Sequence, residues 1–402
     1  MGLAIQRLFR GDRVIWTVLL LLSLLSLLIV YSSTGALAYR VASGNTFYYL
    51  VRQMFFLGAG FALILFMVNV VPVKIYSMAA NSLVYFSIAL LVLTLSLKIA
   101  GIIDGSGRTL DLGFVSFQPA EVAKISLILL SAKILAKKRK TRNDDKKTFK
   151  RIIFFTLIIC GLIFMVDFST SALLFSTIMT MMFIGRIPFK YLLLVVASGA
   201  ALIAMIYFFT DRYPEQSPEK FHTIKGRIDR FIYGDPNSGN LVTQADYSKL
   251  AIYKGGILGK GPGSSEVSNY IAAAYSDYIF AIIVEEYGLL FGAGVLFLYL
   301  IFFFRGALIV RKSTRTFPAF LVTGLTLILI FQAMINIGVS SGLLPVTGQP
   351  LPWVSLGGTS LLFTSIAFGC ILSVSHQNQV NRKIQKQPIQ VNAPDEDYEM
   401  EK

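Results

Sequence analysis

Residues 14–33 read VIWTVLLLLSLLSLLIVYSS, an uncharged apolar run that follows Arg7, Arg10 and Arg13. The hydrocarbon core of a bilayer is about 30 Å thick, and at ~1.5 Å of rise per residue a helix needs about 20 apolar residues to cross it. The run has that length. Ala36-Leu37-Ala38 after it resembles a signal-peptide cleavage site, but the apolar core of a signal peptide is only about 7–15 residues long. The run therefore reads as an uncleaved first spanning helix, and the rest of the chain repeats its pattern.

Hydrophobic residues make up 55% of the chain and charged ones 15%, with a mean hydropathy of +0.66, a balance that excludes an ordinary soluble domain. Further apolar runs at 53–71, 80–100, 117–136, 151–166, 168–186, 190–210, 277–304, 317–340 and 354–375 bring the predicted spans to ten. The formal net charge of +15 does not form a basic face on a soluble domain, so it does not point to nucleic acid. The cations gather between the apolar runs instead. KKRKTRNDDKKTFKR at 137–151, the connection with Arg186 and Lys190, residues 305–315 and the tail with Arg382 and Lys383 all fall on the side of the basic N-terminus. The positive-inside rule makes that side cytoplasmic.

An even span count puts both termini there and leaves 101–116, the turn at Asp167 and 211–276 outside. The predicted fold is an all-α polytopic membrane protein of about ten transmembrane helices, a single membrane domain over 1–378 with a large extracellular loop, 211–276, between helices 7 and 8. A polar tail, 379–402, has too few apolar residues to order itself. Only Asp167 separates the fifth and sixth runs, and the charge pattern favours two helices there. Cys160 and Cys370 both lie in apolar runs, and His222 and His376 have no second ligand at metal-site spacing. Neither a disulfide framework nor a His/Cys metal site is expected.

The chemistry is expected in KGGILGKGPGSSEVSNYIAAAYSDYIFAIIVEEYG, residues 254–288. Glycines free its first part to turn sharply, and Asp277 then stands just before an apolar run that contains Glu285 and Glu286. An acid at the mouth of a spanning helix is costly, which makes it a functional candidate; the plainer alternative is a solvated acid marking the water interface. Glu121 and Lys124 stand three residues apart on one face of the fourth span, after Pro119, spaced for an ion pair facing the interior. Such a pair either braces the bundle or lines a cavity. Gln332 and Asn336 share a face of the ninth span, for which interhelical hydrogen bonding suffices, and Lys133 is read as snorkelling to the cytoplasmic interface. In the outer loop, TIKGRIDRFIYGDP sets Lys225, Arg227 and Arg230 beside Phe231 and Tyr233. An Arg fork suits a diphosphate, while an interfacial amphipathic segment would look the same. No Walker loop, GxSxG elbow or HExxH is present. Composition and spacing alone leave transport and catalysis undivided.

DLGFVSFQPAEVAKISLILL (111–130), GGILGKGPG (255–263), SDYIFAIIVEEYG (276–288) and FQAMINIGVSSGLLPVTGQPLPWVSLGGTS (331–360), in that order on ten spans, resemble the SEDS family (shape, elongation, division and sporulation), the FtsW/RodA group of peptidoglycan glycosyltransferases. The last block leans towards the division branch. The resemblance implies polymerisation of lipid II at the outer face of the bacterial cytoplasmic membrane, with release of undecaprenyl diphosphate. It implies that Asp277 is the catalytic carboxylate, acting on the acceptor hydroxyl or through a divalent cation, Mg²⁺ or Mn²⁺. Glu121 and Lys124 match the family's fourth-span acid and base, and Arg108 the basic residue of the preceding loop. Arg227 and Arg230 fall where the family has outer-loop cations. Glu285 and Asp167 are secondary candidates. The implied partners are a class B penicillin-binding protein, which is a transpeptidase, and other division proteins; an elongation polymerase, a lipid II flippase and a noncatalytic scaffold are the alternatives. Three places depart from the family pattern: Pro-Glu-x-His-Thr before the aspartate is here Ala272-Ala273-Ala274-Tyr275-Ser276, Gln-Pro-Asp-Leu-Gly-Thr is Met165-Val166-Asp167-Phe168-Ser169-Thr170, keeping only its Asp and Thr, and an aromatic residue common after the Arg of the third connection is Thr109.

Overall fold

The computed structural model describes residues 8–35, 37, 45–101, 109–111, 116–138, 142–233, 243–271 and 274–386. Within them, long helices lie on all ten apolar runs: α1 (Arg13–Ser33), α2 (Thr46–Val70), α3 (Val73–Ile99), α4 (Pro119–Ala136), α5 (Arg142–Phe164), α6 (Phe168–Ile184) and α7 (Phe189–Arg212), then, after two shorter helices α8 (Glu219–Tyr233) and α9 (Gln244–Gly255), α10 (Ile279–Lys312), α11 (Thr316–Ser340) and α12 (Thr359–Lys386). A two-residue β pair, Leu110–Asp111 with Ser116–Phe117, precedes α4. Seven of the helices (α1, α2, α3, α7, α10, α11 and α12) are by themselves long and apolar enough to cross a membrane. The others differ for local reasons. Helix α4 carries Glu121, Lys124 and Lys133, α5 begins in the charged 142–151 segment, and α6 has 17 residues.

Helices α4 and α11 form the centre of the bundle, where Ala123, Leu127, Ile128, Leu325 and Ala333 are fully or almost fully enclosed. Helix α7 stands at the edge, with only 11% of its apolar window buried. Pro119 begins α4, where the missing N–H costs nothing. Asp167 divides the fifth and sixth runs into two helices by capping the second: its carboxylate accepts from the Ser169 and Thr170 amides at 3.0 and 3.3 Å, satisfying donors that have no partner within the helix. On the opposite side Asp12 caps α1 in the same way and also pairs with Arg305 of α10.

Three boundaries differ from those expected. First, the eighth run is broken at Gly288 (φ 86°, ψ 168°), so α10 comprises an enclosed piece, Ile279 to Tyr287, and a longer piece beyond the break. A broken helix at membrane depth must have its backbone satisfied by protein, and here the glycine-rich segment does this. The amides of Lys260 and Gly261 donate to the Glu285 and Glu286 carbonyls (3.0 and 2.9 Å), and the amides of Leu289 and Leu290 donate to the Gly256 and Ile257 carbonyls (2.9 and 3.3 Å). Backbone must touch backbone for this: a Cβ on Gly255 would lie 2.1 Å from the Val284 oxygen, and one on Gly288 2.2 Å from the Ile257 oxygen. The glycines thus serve close approach to α10 more than a free turn.

Second, residues 351–355 are buried but not helical, and α12 starts only at Thr359. Pro350 and Pro352 supply no backbone N–H for a helix, and the chain instead makes a tight turn in which Trp353 has a φ of 69° and the amides of Val354 and Ser355 donate to the Leu351 carbonyl (3.2 and 3.0 Å). Third, α12 continues to Lys386, past the boundary expected at 378. Asn378 donates to the Ile309 carbonyl and the Ser313 hydroxyl (3.2 and 2.9 Å), and Gln379 to the Gly11 carbonyl (2.8 Å). Polar residues that looked like the start of a tail are thereby used as anchors.

Candidate functional site

Asp277 sits in the turn before α10, half-buried, with its carboxylate accepting the Ser276 hydroxyl at 2.8 Å. The turn is fixed by its backbone. The Asn336 side chain donates to the carbonyl of Asp277 (2.9 Å), Ser355 to that of Ser276 (2.8 Å), and the Leu356 amide to that of Tyr275 (3.0 Å). Asn336 also donates to the Gln349 carbonyl (2.9 Å), and the Gln349 side chain donates to the Thr170 hydroxyl (2.9 Å), which in turn donates to Asp167 (2.9 Å). Ser169, beside Thr170, accepts from the Arg227 guanidinium at 3.0 Å. A hydrogen-bonded series therefore runs from the cap of α6 to the Asp277 turn and touches the outer-loop Arg on the way. Asp167, Asn336 and Gln349 are each no more than 4% exposed, and breaking any of these buried hydrogen bonds would leave a polar group unsatisfied, which favours the one geometry.

Next to the turn opens a groove of about 530 Å³, lined by Tyr278 at the start of α10, Arg227, Arg230 and Phe231 from α8, Asp246 and Lys249 from α9, and the segment after α11. Its floor is a small core of Ala251, Val267, Ile271, Ala274, Ala281 and Val339, so the predicted loop is a folded layer. Asp246 is held below the usual carboxylate range, chiefly by the Thr243 hydroxyl and with help from the Lys249 charge. The groove carries three cations against this one carboxylate, a field that favours an anion. Lys225 is not among them, since its ammonium pairs with Asp211 and lies 5.7 Å from the Tyr207 ring centre.

The other candidates separate. Glu121 and Lys124 form an ion pair at 2.8 Å, nearly enclosed at 14% and 7% side-chain exposure. Glu121 borders a small cavity with Gln332, Trp353 and Ser355, and Ser355 is the residue that holds the Ser276 carbonyl. The pair is thus one residue removed from the Asp277 turn. We expect Glu121→Gln and Lys124→Met each to lower folded yield or activity, because either leaves an uncompensated charge in the bundle. The double variant should recover part of the folding loss without full activity. A double-mutant cycle on thermal stability checks this, and strictly additive losses would mean that the residues are not coupled.

Glu285 is fully buried and faces away from the groove's cations. Its oxygens accept from the Ser265 hydroxyl (2.5 Å) and the Glu266 amide (3.1 Å), with Lys260 at 4.0 Å. Glu286 accepts from Ser32 of α1. Both acids brace the broken helix. Glu266 bridges Lys254 and Lys260, whose hydrogen bonds hold its carboxyl down at about 2. Arg108 lies outside the described residues. No three His, Cys, Asp or Glu side chains gather at metal-ligand spacing among the described residues. A cation at Asp277 would need oxygens from a bound diphosphate and water, a donor set that suits Mg²⁺. Sequence reasoning missed Gln349 and Ser355. It read Gln332 and Asn336 as interhelical, whereas they hold loop backbone: Gln332 donates to the Pro350 carbonyl at 3.0 Å.

The fold and this site define a multi-pass helical membrane protein that sets one acid, on a rigid turn, beside a cationic groove. The chain belongs to the FtsW/RodA/SpoVE family of cell cycle proteins, whose sequence model matches residues 12–380. It is 30% identical over 373 residues to the probable peptidoglycan glycosyltransferase FtsW of Coxiella burnetii, covering 90% of this chain and 96% of that one. To the peptidoglycan glycosyltransferase MrdB of Escherichia coli K12 it is 31% identical over 376 residues, covering 91% and 95%. Its fold is that of the rod shape determining protein RodA of Thermus thermophilus (TM-score 0.62, 23% identity, 92% and 97% covered). A chain of a peptidoglycan synthase complex that coordinates polymerization and crosslinking has the same fold (TM-score 0.67, 24% identity, 92% and 98% covered).

Proposed function

We propose that the chain polymerises lipid II into glycan strands at the outer face of the bacterial cytoplasmic membrane. The observation that carries this reading is the groove: Arg227 and Arg230 line it, and it begins at Tyr278, next to Asp277. In the reaction, the acceptor sugar hydroxyl attacks the anomeric carbon of the strand. The new C–O bond forms as the bond to the diphosphate breaks, the hydroxyl proton passes to Asp277, and undecaprenyl diphosphate leaves. Positioned proton removal of this kind contributes ~10²–10⁴ in rate. The two Arg residues hold the diphosphate and stabilise the charge it gains. Direct displacement needs one outstanding acid and no covalent glycosyl-enzyme, in keeping with a single carboxylate at the turn. Asp277 would hold Mg²⁺ or Mn²⁺ jointly with the diphosphate, adding charge neutralisation there.

The hydrophobic bundle has its own part in the reaction. Both substrates carry polyprenyl tails that remain in the bilayer while their sugars meet at the groove. Glu121 and Lys124 would support the turn from the membrane side through the cavity at Ser355. The motif resemblance supports a division role, with the elongation role as the alternative, and the likeness to a chain of a peptidoglycan synthase complex that coordinates polymerization and crosslinking supports a class B penicillin-binding protein as partner. A flippase reading would place substrate at mid-membrane, where secondary transporters bind.

Incubating the purified chain with lipid II, alone and with such a transpeptidase, tests the reading. Glycan strands on a gel are expected; unextended lipid II in both arms, with headgroup translocation in vesicles, would favour the flippase. Topology is tested separately. The native cysteines are buried, so Lys146→Cys and Glu215→Cys should report cleanly with a membrane-impermeant thiol reagent in intact cells. Labelling is expected at 215 only, and labelling at 146 alone would invert the orientation.

A further inference from the structure

A second cationic cavity, remote from the Asp277 groove, lies at the other end of the bundle between α3, α4 and α5. It measures about 280 Å³, and Lys133, Lys137, Lys147 and Arg151 converge on it with Asp144 as its one lining carboxylate. Lys133 and Lys137 are four residues apart on α4, as are Lys147 and Arg151 on α5, a spacing that puts like charges on one face and makes them repel. None of the four forms a hydrogen bond or ion pair with a described residue. The neighbouring Lys138 is different: it is engaged by Asp145 at 2.9 Å and by the Gly185 and Arg186 carbonyls at 3.0 and 2.8 Å. The fold thus collects four cations around a hollow and leaves them without a partner among the described residues.

Asn81 points to what fills the hollow. It lines the cavity from α3, on a face where Met78 and Tyr85 are 66% and 64% exposed, which in a membrane is a lipid-facing stripe. Its amide makes no hydrogen bond to a described residue, and an amide against hydrocarbon is costly unless something polar meets it. Towards the membrane interior the wall turns apolar: Tyr85 meets Phe155 edge-on at 6.1 Å, and Phe154 is 59% exposed. Cations above, an amide at the boundary and aromatic rings below match an amphiphile with an anionic head and acyl chains.

We propose that this cavity binds the phosphodiester headgroup of an anionic phospholipid of the leaflet on the basic side of the protein. Basic pockets between helices at that interface recognise such heads, and each cation near the surface adds to the attraction. A zwitterionic head brings its own ammonium into the cluster and gains much less. A free phosphate lacks the chains that the aromatic wall contacts.

The test uses the purified full chain in neutral detergent, followed by native mass spectrometry and thermal stability on titration with phosphatidylglycerol, phosphatidylethanolamine or inorganic phosphate. Phosphatidylglycerol should stay bound and raise Tm, and the other two should not. In Lys133→Gln/Arg151→Gln the apparent affinity should fall about tenfold or more. It should not change in Lys312→Gln/Arg382→Gln, which alters a different basic pocket on the same side. Asn81→Leu guards against a folding failure of the charge variant: it suits the lipid-facing stripe and should weaken phosphatidylglycerol binding severalfold. Equal retention of phosphatidylethanolamine, a Tm rise with inorganic phosphate alone, or wild-type phosphatidylglycerol binding by either cavity variant would overturn the proposal.

Discussion

Asp277→Asn is expected to give a folded, monodisperse protein whose lipid II polymerisation is reduced by ~10²–10⁴, the loss that follows removal of a general base. The substitution exchanges one carboxylate oxygen for an amide of nearly the same shape. The turn is held through backbone carbonyls by Asn336, Ser355 and the Leu356 amide, none of which the change touches. Ser276 can still donate to the remaining oxygen. Folding and partner binding should survive, and lipid II binding should weaken far less than turnover, because the tail and the diphosphate are held elsewhere. The loss would be larger if the same oxygen also held a divalent ion. Polymerisation measured alongside Tm and lipid II binding checks this; a wild-type rate in the variant would remove Asp277 from the catalytic role.

The second large effect is structural. Gly288→Ala should abolish most folded protein, because the residue has a φ of 86° and its new Cβ would meet the Ile257 carbonyl oxygen at 2.2 Å. A positive φ combined with an extended ψ is essentially reserved for glycine and costs a Cβ-bearing residue ~1–3 kcal/mol. Relieving the clash means moving the glycine-rich strand that supplies four hydrogen bonds to the broken helix, each worth ~0.5–1.5 kcal/mol net. A loss of several kcal/mol is a large fraction of ordinary protein stability. Gly294→Ala, on the same helix but with nothing within 4 Å of its Cβ position, is the control and should be neutral. Fluorescence size-exclusion yield and Tm measure both, and equal behaviour of the two variants would contradict the packing described.

The positions of the ten long helices were legible because each lies on an apolar run that the chain punctuates with charge, although only seven of them are by themselves long and apolar enough to cross a membrane. Asp167 between two apolar runs was legible as a break, and its capping hydrogen bonds explain why one residue suffices. The break at Gly288 was not legible. Glycine is common in membrane helices, and both flanks are apolar, so hydropathy merges the two pieces. The paired acids Glu285 and Glu286 just before it, together with the upstream glycines, were the available signal, but they read as chemistry when they serve the fold. Residues 351–355 misled in the same way, since their apolar side chains suit a helix while Pro350 before them and Pro352 among them do not.

At the site, Asp277 and the Arg-bearing segment could be singled out residue by residue, but their common groove depends on how α8 and α9 fold back against α10. The connection from Asp167 and Thr170 through Gln349 to Asn336 joins three separate parts of the chain. No local spacing encodes it. That Asp167 and Thr170 are the two residues kept in an otherwise divergent segment fits the hydrogen bonds they make there.

The most direct test of polymerisation at this groove is to locate the sugar. A lipid II analogue carrying a photoreactive group on its acceptor sugar, irradiated with the wild-type protein and mapped by peptide mass spectrometry, should label the turn and groove around residues 275–278, Arg227, Arg230 and Lys249. Unlabelled lipid II should compete for the same adducts. Adducts confined to the small cavity at Glu121 and Gln332, with none at the groove, would contradict catalysis at Asp277.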